Sequence, residues 1–458
     1  MAIIVDRLRE SSAQVLIRQG GRQYGYDAAV EGIEGWLARF PSLGIVPGEV
    51  VSLVGRFSFD ATVLLLALLE NRNIVVPLND ESRDEVDKRN RVACSAHCVK
   101  CHDRRDFAHE ILRPPGSHPL LDALRGRRET GVILFTSGST GESKAAVHAF
   151  SRFVAKYTSA EKKKPFNVMV FLKFDHIGGL NTMFAVVMNG GCMTVAEDRS
   201  PNGICKLIQD EKVEILPTTP SFLNMLVLSK AWERYDISSL KTITYGTEPI
   251  PGSTLKALAQ IFPGVKLKQT YGLTELGIFS TRSRANESTF MAIREGDVRT
   301  KVVDGLLYIK TDSAMLGYLN AESPFDSEGW YNTGDRVVVE GGYTKILGRE
   351  SDIINVGGEK VYPTEVESVL LEMDNVLDVA VEAKISPVVG QIVAAVFQLE
   401  QDEDLPSLRR RVAEHCRGRL ESYKVPRHVV ISDQGLMSAR LKKTRRNLKP
   451  TRGAQHGR

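Results

Sequence analysis

Short, mostly apolar blocks recur along the chain at 50–54, 74–78, 132–135 and 243–245. Between several of them lie longer stretches in which apolar positions fall three and four apart. A short apolar run bounded by polar turn residues reads as a strand buried on both faces, and the three-to-four spacing reads as a helix. The pattern predicts strands at those four runs and at 215–216, with helices over 61–70, 201–210 and 220–229. Pro77 and Asn79 are expected to end the 74–78 strand, and Gly246 and Pro249 to turn the chain after 245. Alternating strands and helices imply α/β layers. From Gly305 the pattern shortens to β runs at 306–311, 336–340 and 343–347, as in a small β-rich subdomain. Beyond Gly348 it predicts a helix over 363–373, strands over 377–382 and 392–399, a helix over 405–420 and a basic tail. The expected fold is α/β: a large N-terminal domain over 1–347, of layered α/β subdomains plus the β-rich subdomain, a hinge at 348–351, and a small α+β C-terminal domain over 352–458.

Composition narrows the function classes. A chain of 458 residues holds two or more domains. With 60 basic and 56 acidic residues the net charge is +4, which gives no nucleic-acid footprint. The longest apolar run, about 62–69, is too short to span a bilayer. The first residues lack a charged segment followed by an apolar one, so a cytoplasmic protein is expected. Three of the six cysteines crowd at Cys94, Cys98 and Cys101, beside His97 and His102. That spacing admits an iron–sulfur or zinc site. Residues 92–99 also alternate as a strand would, and buried cysteine behaves as a small hydrophobe. No glycine turn shapes a ligand loop there, which favours the strand.

The densest chemistry lies in Phe-Thr-Ser-Gly-Ser-Thr-Gly-Glu-Ser-Lys at 135–144. An apolar strand opens into a loop with hydroxyls at Thr136, Ser137, Ser139 and Thr140, glycines at Gly138 and Gly141, and the cation of Lys144. Glycines let backbone N–H groups approach an anion, hydroxyls donate to phosphate oxygens, and lysine adds a point charge. The spacing differs from the GxxxxGK[ST] of a P-loop. Further on stand Tyr271-Gly272-Leu273-Thr274-Glu275, Tyr331-Asn332-Thr333-Gly334-Asp335, Gly348-Arg349 and the glycine-containing segment 355–367. A carboxylate such as Glu275 suits a hard cation, and one such as Asp335 suits a diol.

In this order and at these distances the blocks resemble those of the acyl-adenylate-forming superfamily, which includes acyl-CoA synthetases, adenylation domains and luciferases. The resemblance runs from about residue 30 to 450. It implies ATP and Mg²⁺, a carboxylic acid substrate, and a thiol acceptor. Residues Thr136, Ser137, Gly138, Ser139, Thr140, Gly141 and Lys144 would then hold the β- and γ-phosphates. Thr274 would contact phosphate and Glu275 would hold the metal. Tyr271, Gly272 and the turn Thr247-Glu248-Pro249 would lie along adenine. Asp335 and Arg349 would hold the ribose, and Ile346 and Lys360 would join the nucleotide contacts. His176 would line and gate an acyl pocket formed with Asp175, Gly178, Gly179, Phe222, Tyr245, Gly246, Gly272, Leu276 and Gly277. The small domain would be mobile about Ser351, presenting Gly357 and Gly358 to the thiol.

This sequence departs from the family pattern at Ser143, where proline is usual, at Ala145, where glycine is common, and at the hinge, where Ser351 replaces aspartate or lysine. In the catalytic-lysine block the trailing Arg445, Arg446 and Leu448 place the lysine at Lys442, after Leu441 instead of glycine. Lys443 remains a competitor. The expected substrate is an aryl or short-to-medium acyl acid. Asp175 leaves open an amine-bearing acid, because in amino-acid-activating relatives an aspartate near this point pairs with the ammonium. The acceptor is either coenzyme A or the phosphopantetheine of a separate carrier protein, and the basic residues around 440–452 suit both. No membrane or nucleic-acid partner is expected, and the oligomeric state is not legible. A catalytically weak nucleotide-binding protein is the alternative from another class.

Overall fold

The computed structural model describes residues 3–11, 14–79, 81–102, 106–112, 116–137, 143–158, 164–294, 296, 298–386, 390–432 and 436. Gly138, Ser139, Thr140, Gly141, Lys442 and Lys443 lie outside the described residues.

Two seven-stranded sheets organise the larger part of the chain. One runs, edge to edge, through Lys266–Gln269, Thr242–Tyr245, Ile215–Thr218, Asn167–Val170, Cys192–Val195, Val15–Gln19 and Arg22–Gly25. All its pairings are parallel except the last. The other runs through Gly317–Tyr318, Ser143–Ala149, Gly131–Ser137, Ile74–Leu78, Val50–Val54, His97–Cys101 and Phe107–Ile111, with a parallel centre and antiparallel margins. A shared core joins them. It combines Leu16, Ile17, Val168 and Met193 from the first sheet with Val51, Leu53, Val75 and Val132 from the second. The helices Tyr26–Arg39, Phe59–Glu70 and Ile177–Asn189 supply much of the rest. Ten of the twelve residues of Phe59–Glu70 are buried, which explains its apolar run: a helix between layers has no solvated face. Ser58 caps its first turn by accepting from Ala61 N at 3.1 Å.

Pro77 sits within the Ile74–Leu78 strand instead of ending it. The strand pairs over its full length with Val50–Val54, but with Gly131–Ser137 only at Ile74 and Val75. The ladder that a missing N–H would break has already opened there. Pro217 repeats this pattern, since Ile215–Thr218 meets Asn167–Val170 only at Ile215↔Val168. Residues 92–96 are not strand: the helix Arg83–Ala93 ends with Cys94 in the left-handed region, and the strand begins at His97. Burial raises the thiol pKa of Cys94, of Cys98 and of Cys101, the last to about 12. Among the described residues no group of three or more His, Cys, Asp or Glu could hold a metal ion, and no helix is long and apolar enough to cross a membrane.

A six-stranded antiparallel sheet follows, in the order Thr281–Ser283, Met291–Ile293, Tyr343–Arg349, Tyr331–Glu340, Leu306–Thr311, Val298–Val303. After the short 3₁₀ turn Glu350–Asp352 comes a last sheet built from Glu359–Val361, Ile354–Val356, Gly390–Leu399, Val376–Ser386 and His428–Ile431. It is covered by the helices Pro363–Leu370 and Leu405–Cys416 and has its own core around Val379, Val381, Phe397 and Leu408. Asn224 on the helix Pro220–Ser229 donates to Leu377 O at 3.3 Å, linking this unit to the larger one.

Candidate active site

The topology selects the place of the site. In the first sheet the chain leaves Asn167–Val170 for a neighbour on one side, Cys192–Val195, and next adds Ile215–Thr218 on the other. Such a switch point leaves a crevice at the carboxyl ends of the strands, where α/β sheets take their ligands. A cavity of about 390 Å³ opens there. Leu172 and Asp175 line it from beyond one strand, and Pro217 and Thr218 from the end of the other.

The hairpin Tyr271–Leu273/Gly277–Phe279 crosses this crevice with Thr274 and Glu275 at its tip. Only glycine fits at Gly272, because a Cβ there would stand 2.4 Å from Gly277 O. Glu275 is buried at 8% exposure, and the Tyr318 hydroxyl donates to its Oε1 at 2.7 Å. Tyr318 comes from a two-residue strand paired with Val147 and Ala146, just after the hydroxyl- and glycine-rich segment in sequence. The ammonium of Lys144 lies 5.3 Å from the Tyr318 ring centre. Asn320 fixes the base of that loop by accepting from Ala145 N at 2.9 Å and donating to Ser143 O at 3.0 Å. Burial and the charge of Glu275 push the Tyr318 phenol pKa far up, so it stays a proton donor.

Asp335, 6% exposed, also lines the cavity. The Tyr271 hydroxyl donates to its Oδ2 at 2.6 Å, and Arg349 Nε lies 3.6 Å from its Oδ1. Its backbone N–H donates to Thr333 Oγ1. Burial raises the Asp335 carboxyl above the usual range, while Tyr271 and Arg349 pull it back toward ionisation. The wall is completed by Ile346, Gly348 and Arg349 and, from the smaller unit, by Asp352, Pro363 and Thr364.

The turn Gly246, Thr247, Glu248, Pro249 also lines the cavity. Thr247 has φ +77°, a conformation that costs a β-branched residue of order 1–3 kcal/mol. The Glu248 carboxylate accepts from Ser221 N at 3.0 Å, at the start of the helix Pro220–Ser229. His176 lines the cavity as well and caps the helix Ile177–Asn189, its Nδ1 accepting from Gly178 N at 3.0 Å. That bond leaves the ring proton on Nε2 when the ring is neutral.

The cavity thus brings together Thr136, Asp175, His176, Gly178, Gly246, Thr247, Glu248, Pro249, Tyr271, Gly272, Thr274, Glu275, Asp335, Ile346 and Arg349 from the sequence-based set. Other expected members lie behind its wall. Phe222 packs against Phe171 with ring centres 4.6 Å apart, and Tyr245 is 1% exposed in the same core. Leu276 is fully buried under the hairpin, and Gly277 makes its turn with φ +88°. Gly179 serves a close backbone approach, since a Cβ there would be 2.1 Å from Lys173 O. Gly357 and Gly358 form an exposed turn with Lys360 beyond it, and these three are not in the wall. Sequence reasoning missed Thr218, Gln269 and Thr270 in the cavity wall, and Tyr318 and Asn320, which hold Glu275 and the segment Ser143–Ala145. No motif marks them, because their positions depend on segments distant in sequence meeting one another.

Similarity to known proteins agrees with this geometry. The family model described as AMP-binding enzyme matches residues 8–319, and that of the AMP-binding enzyme C-terminal domain matches 365–446. The indoleacetate–CoA ligase of Aromatoleum aromaticum is 27% identical over 352 residues, covering 71% of this chain and 68% of the relative. The 2-succinylbenzoate–CoA ligase of Listeria monocytogenes is 24% identical over 468 residues, covering 97% of both. Among solved structures, the anthranilate CoA ligase AuaEII in complex with anthranoyl-AMP superposes with a TM-score of 0.80 at 20% identity, over 96% of this chain and 95% of that one.

Proposed function

Because the chain belongs to the AMP-binding enzyme family, we propose that it activates a compact carboxylic acid with ATP and passes the acyl group to the thiol of coenzyme A. One observation carries the reading. Two buried carboxylates, Asp335 held by a phenol and a guanidinium and Glu275 held by a second phenol, line one cavity that also takes in Thr136, where a hydroxyl- and glycine-rich segment begins. The named relatives act on indoleacetate and 2-succinylbenzoate with CoA as acceptor. A cavity of about 390 Å³ shared by nucleoside and acyl parts lies near the small end of the roughly 300–1,000 Å³ range for ligand pockets, which supports a compact acid.

In the first step a carboxylate oxygen bonds the α-phosphorus as the bond to the β-phosphate bridging oxygen breaks, and pyrophosphate leaves. Charge develops on phosphate oxygens, so positioning and preorganised dipoles supply most of the acceleration. Asp335, ionised, accepts from the ribose hydroxyls, with Arg349 beside it. Tyr271 and the 246–249 turn flank the base. Thr136, Ser137, Gly138, Ser139, Thr140, Gly141 and Lys144 receive the β- and γ-phosphates, and Thr274 the α-phosphate. Glu275, oriented by Tyr318, fits Mg²⁺, which is commonly held by one or two carboxylates together with substrate phosphates and neutralises their charge. Lys442 bridges the acid and the α-phosphate. In the second step the thiol sulfur bonds the acyl carbon and AMP leaves. Rotation of the small domain about Ser351 would present Gly357 and Gly358 to the thiol. A reaction drawing on ATP and CoA fits a cytoplasmic setting.

Pyrophosphate release with MgATP across benzoic, arylacetic, arylpropanoic and short alkanoic acids tests the first step, beside a Lys442→Ala variant. Release with one acid class, lost in the variant, is expected. CoA consumption against loading of a phosphopantetheinylated carrier protein then tests the acceptor. Tight ATP binding without release for any acid would overturn the reading in favour of a nucleotide-binding protein.

A further inference from the structure

The cavity wall contains a charge arrangement that bears on which acids it accepts. Asp175 is 5% exposed and lines the cavity. Alone, a buried carboxylate in the wall would attract a cation on the substrate. Here Arg89 stands behind it, 7% exposed, with Nη1 3.9 Å from Asp175 Oδ2. The guanidinium lies over the Phe135 ring, 5.3 Å from its centre, at the end of the strand that enters the phosphate loop. Glu81 and Glu85 also reach Arg89, each at 3.1 Å. Their side chains are 26% and 38% exposed, so water screens them far more than it screens Asp175. Arg199, over the Phe171 ring, also feels the Asp175 charge together with that of Arg56. Asp175 therefore feels guanidinium charge from Arg199 as well as from Arg89.

We propose that Arg89 is a specificity-determining residue, an internal cation that already pairs with the carboxylate a substrate ammonium would otherwise use, so that the acid accepted here carries no ammonium group. The inference rests on the adenylation reading above. A substrate ammonium beside Asp175 would be buried near the guanidinium that already pairs with that carboxylate. An uncharged acyl group adds no charge to the cluster. The same contact makes Asp175 a positioning group: it fixes the segment leading into His176 against the strand that carries Phe135.

The test is calorimetric binding of two matched acyl-sulfamoyladenosines, one built on 3-phenylpropanoate and one on phenylalanine, which differ by the ammonium group. The wild type is expected to bind the uncharged analogue about 100-fold more tightly. Arg89→Met should narrow that ratio at least about tenfold through a gain for the ammonium analogue, and Asp175→Asn added to it should erase the gain. Asp175→Asn alone leaves Arg89 less compensated and should widen the ratio, which decides the matter even if Arg89→Met does not fold. Equal binding by the wild type, preference for the ammonium analogue, or collapse of the ratio in Asp175→Asn would overturn the inference alone. Failure of both analogues to bind the wild type would overturn the adenylation reading, and this inference with it.

Discussion

Replacing Tyr271 by phenylalanine removes one oxygen and leaves the ring in place beside Phe279, 6.3 Å between centres. The oxygen lost is the donor to Asp335, at 2.6 Å, and a hydrogen bond to a charged group is worth about 1.5–3 kcal/mol. Asp335 is already raised above the ordinary carboxylate range by burial, and Tyr271 is the larger of the two influences opposing that rise. In the variant its pKa moves further up. Above that value both proteins carry an ionised Asp335, and the variant shows its full deficit of about 1.5–3 kcal/mol. Below the wild-type value both carry a protonated Asp335, and the deficit falls to that of a neutral hydrogen bond, about 0.5–1.5 kcal/mol or less. The stability gap therefore opens as pH rises, the direction linkage requires when the unmodified site binds its proton less tightly than the variant does. At about 2–4 °C per kcal/mol for a unit of 150–250 residues, thermal melting resolves it. A melting-temperature gap that stays the same across the whole pH range in which both proteins fold, down through the titration of Asp335, would refute the assignment of the Tyr271 bond to an ionised Asp335.

Three further outcomes are expected. Tyr318→Phe removes the group that orients Glu275, and loss of such supporting contacts typically costs about 10–100-fold; titration of pyrophosphate release with Mg²⁺ should show a shift of that size in apparent affinity. Thr247→Gly relieves the positive-φ turn and should raise stability by about 1 kcal/mol, the strain released less the added freedom of the unfolded chain, read as a higher melting temperature. Gly272→Ala places a methyl 2.4 Å from Gly277 O and 2.7 Å from Ile278 Cδ1, so overpacking should cost about 1–3 kcal/mol and calorimetry should show weakened ATP binding.

Much of the architecture was legible because burial is written in runs. The strand Val50–Val54 and the helix Pro220–Ser229 fall where the apolar pattern puts them. The helix at 363–373 was read too long, since Leu371 and Met373 pack beyond its end at Leu370. Site residues in contiguous motifs, such as Tyr271 to Glu275, were legible because neighbours in sequence share one hairpin. Phe222, Tyr245 and Leu276 were misplaced for the converse reason: large apolar residues next to a cavity usually hold up its wall, and the pattern cannot say which side of the wall they face. Tyr318 and Arg89 were invisible, since their roles depend on strands and helices distant in sequence meeting them.

The span of sequence across the cavity also fixes when it comes into being. The first parallel sheet is complete once Gln269 is made, and the second lacks only its edge strand Gly317–Tyr318. Yet Tyr318 must dock on Ala146 before Glu275 has its donor, and Asp335 and Arg349 are later still. At about 5–20 residues per second of synthesis, both sheets could assemble seconds before the cavity wall is complete. Completion of the cavity would thus be one of the last steps of the chain's maturation, and a chain stopped short of Tyr331 would have its layered sheets without the Asp335 and Arg349 part of the wall.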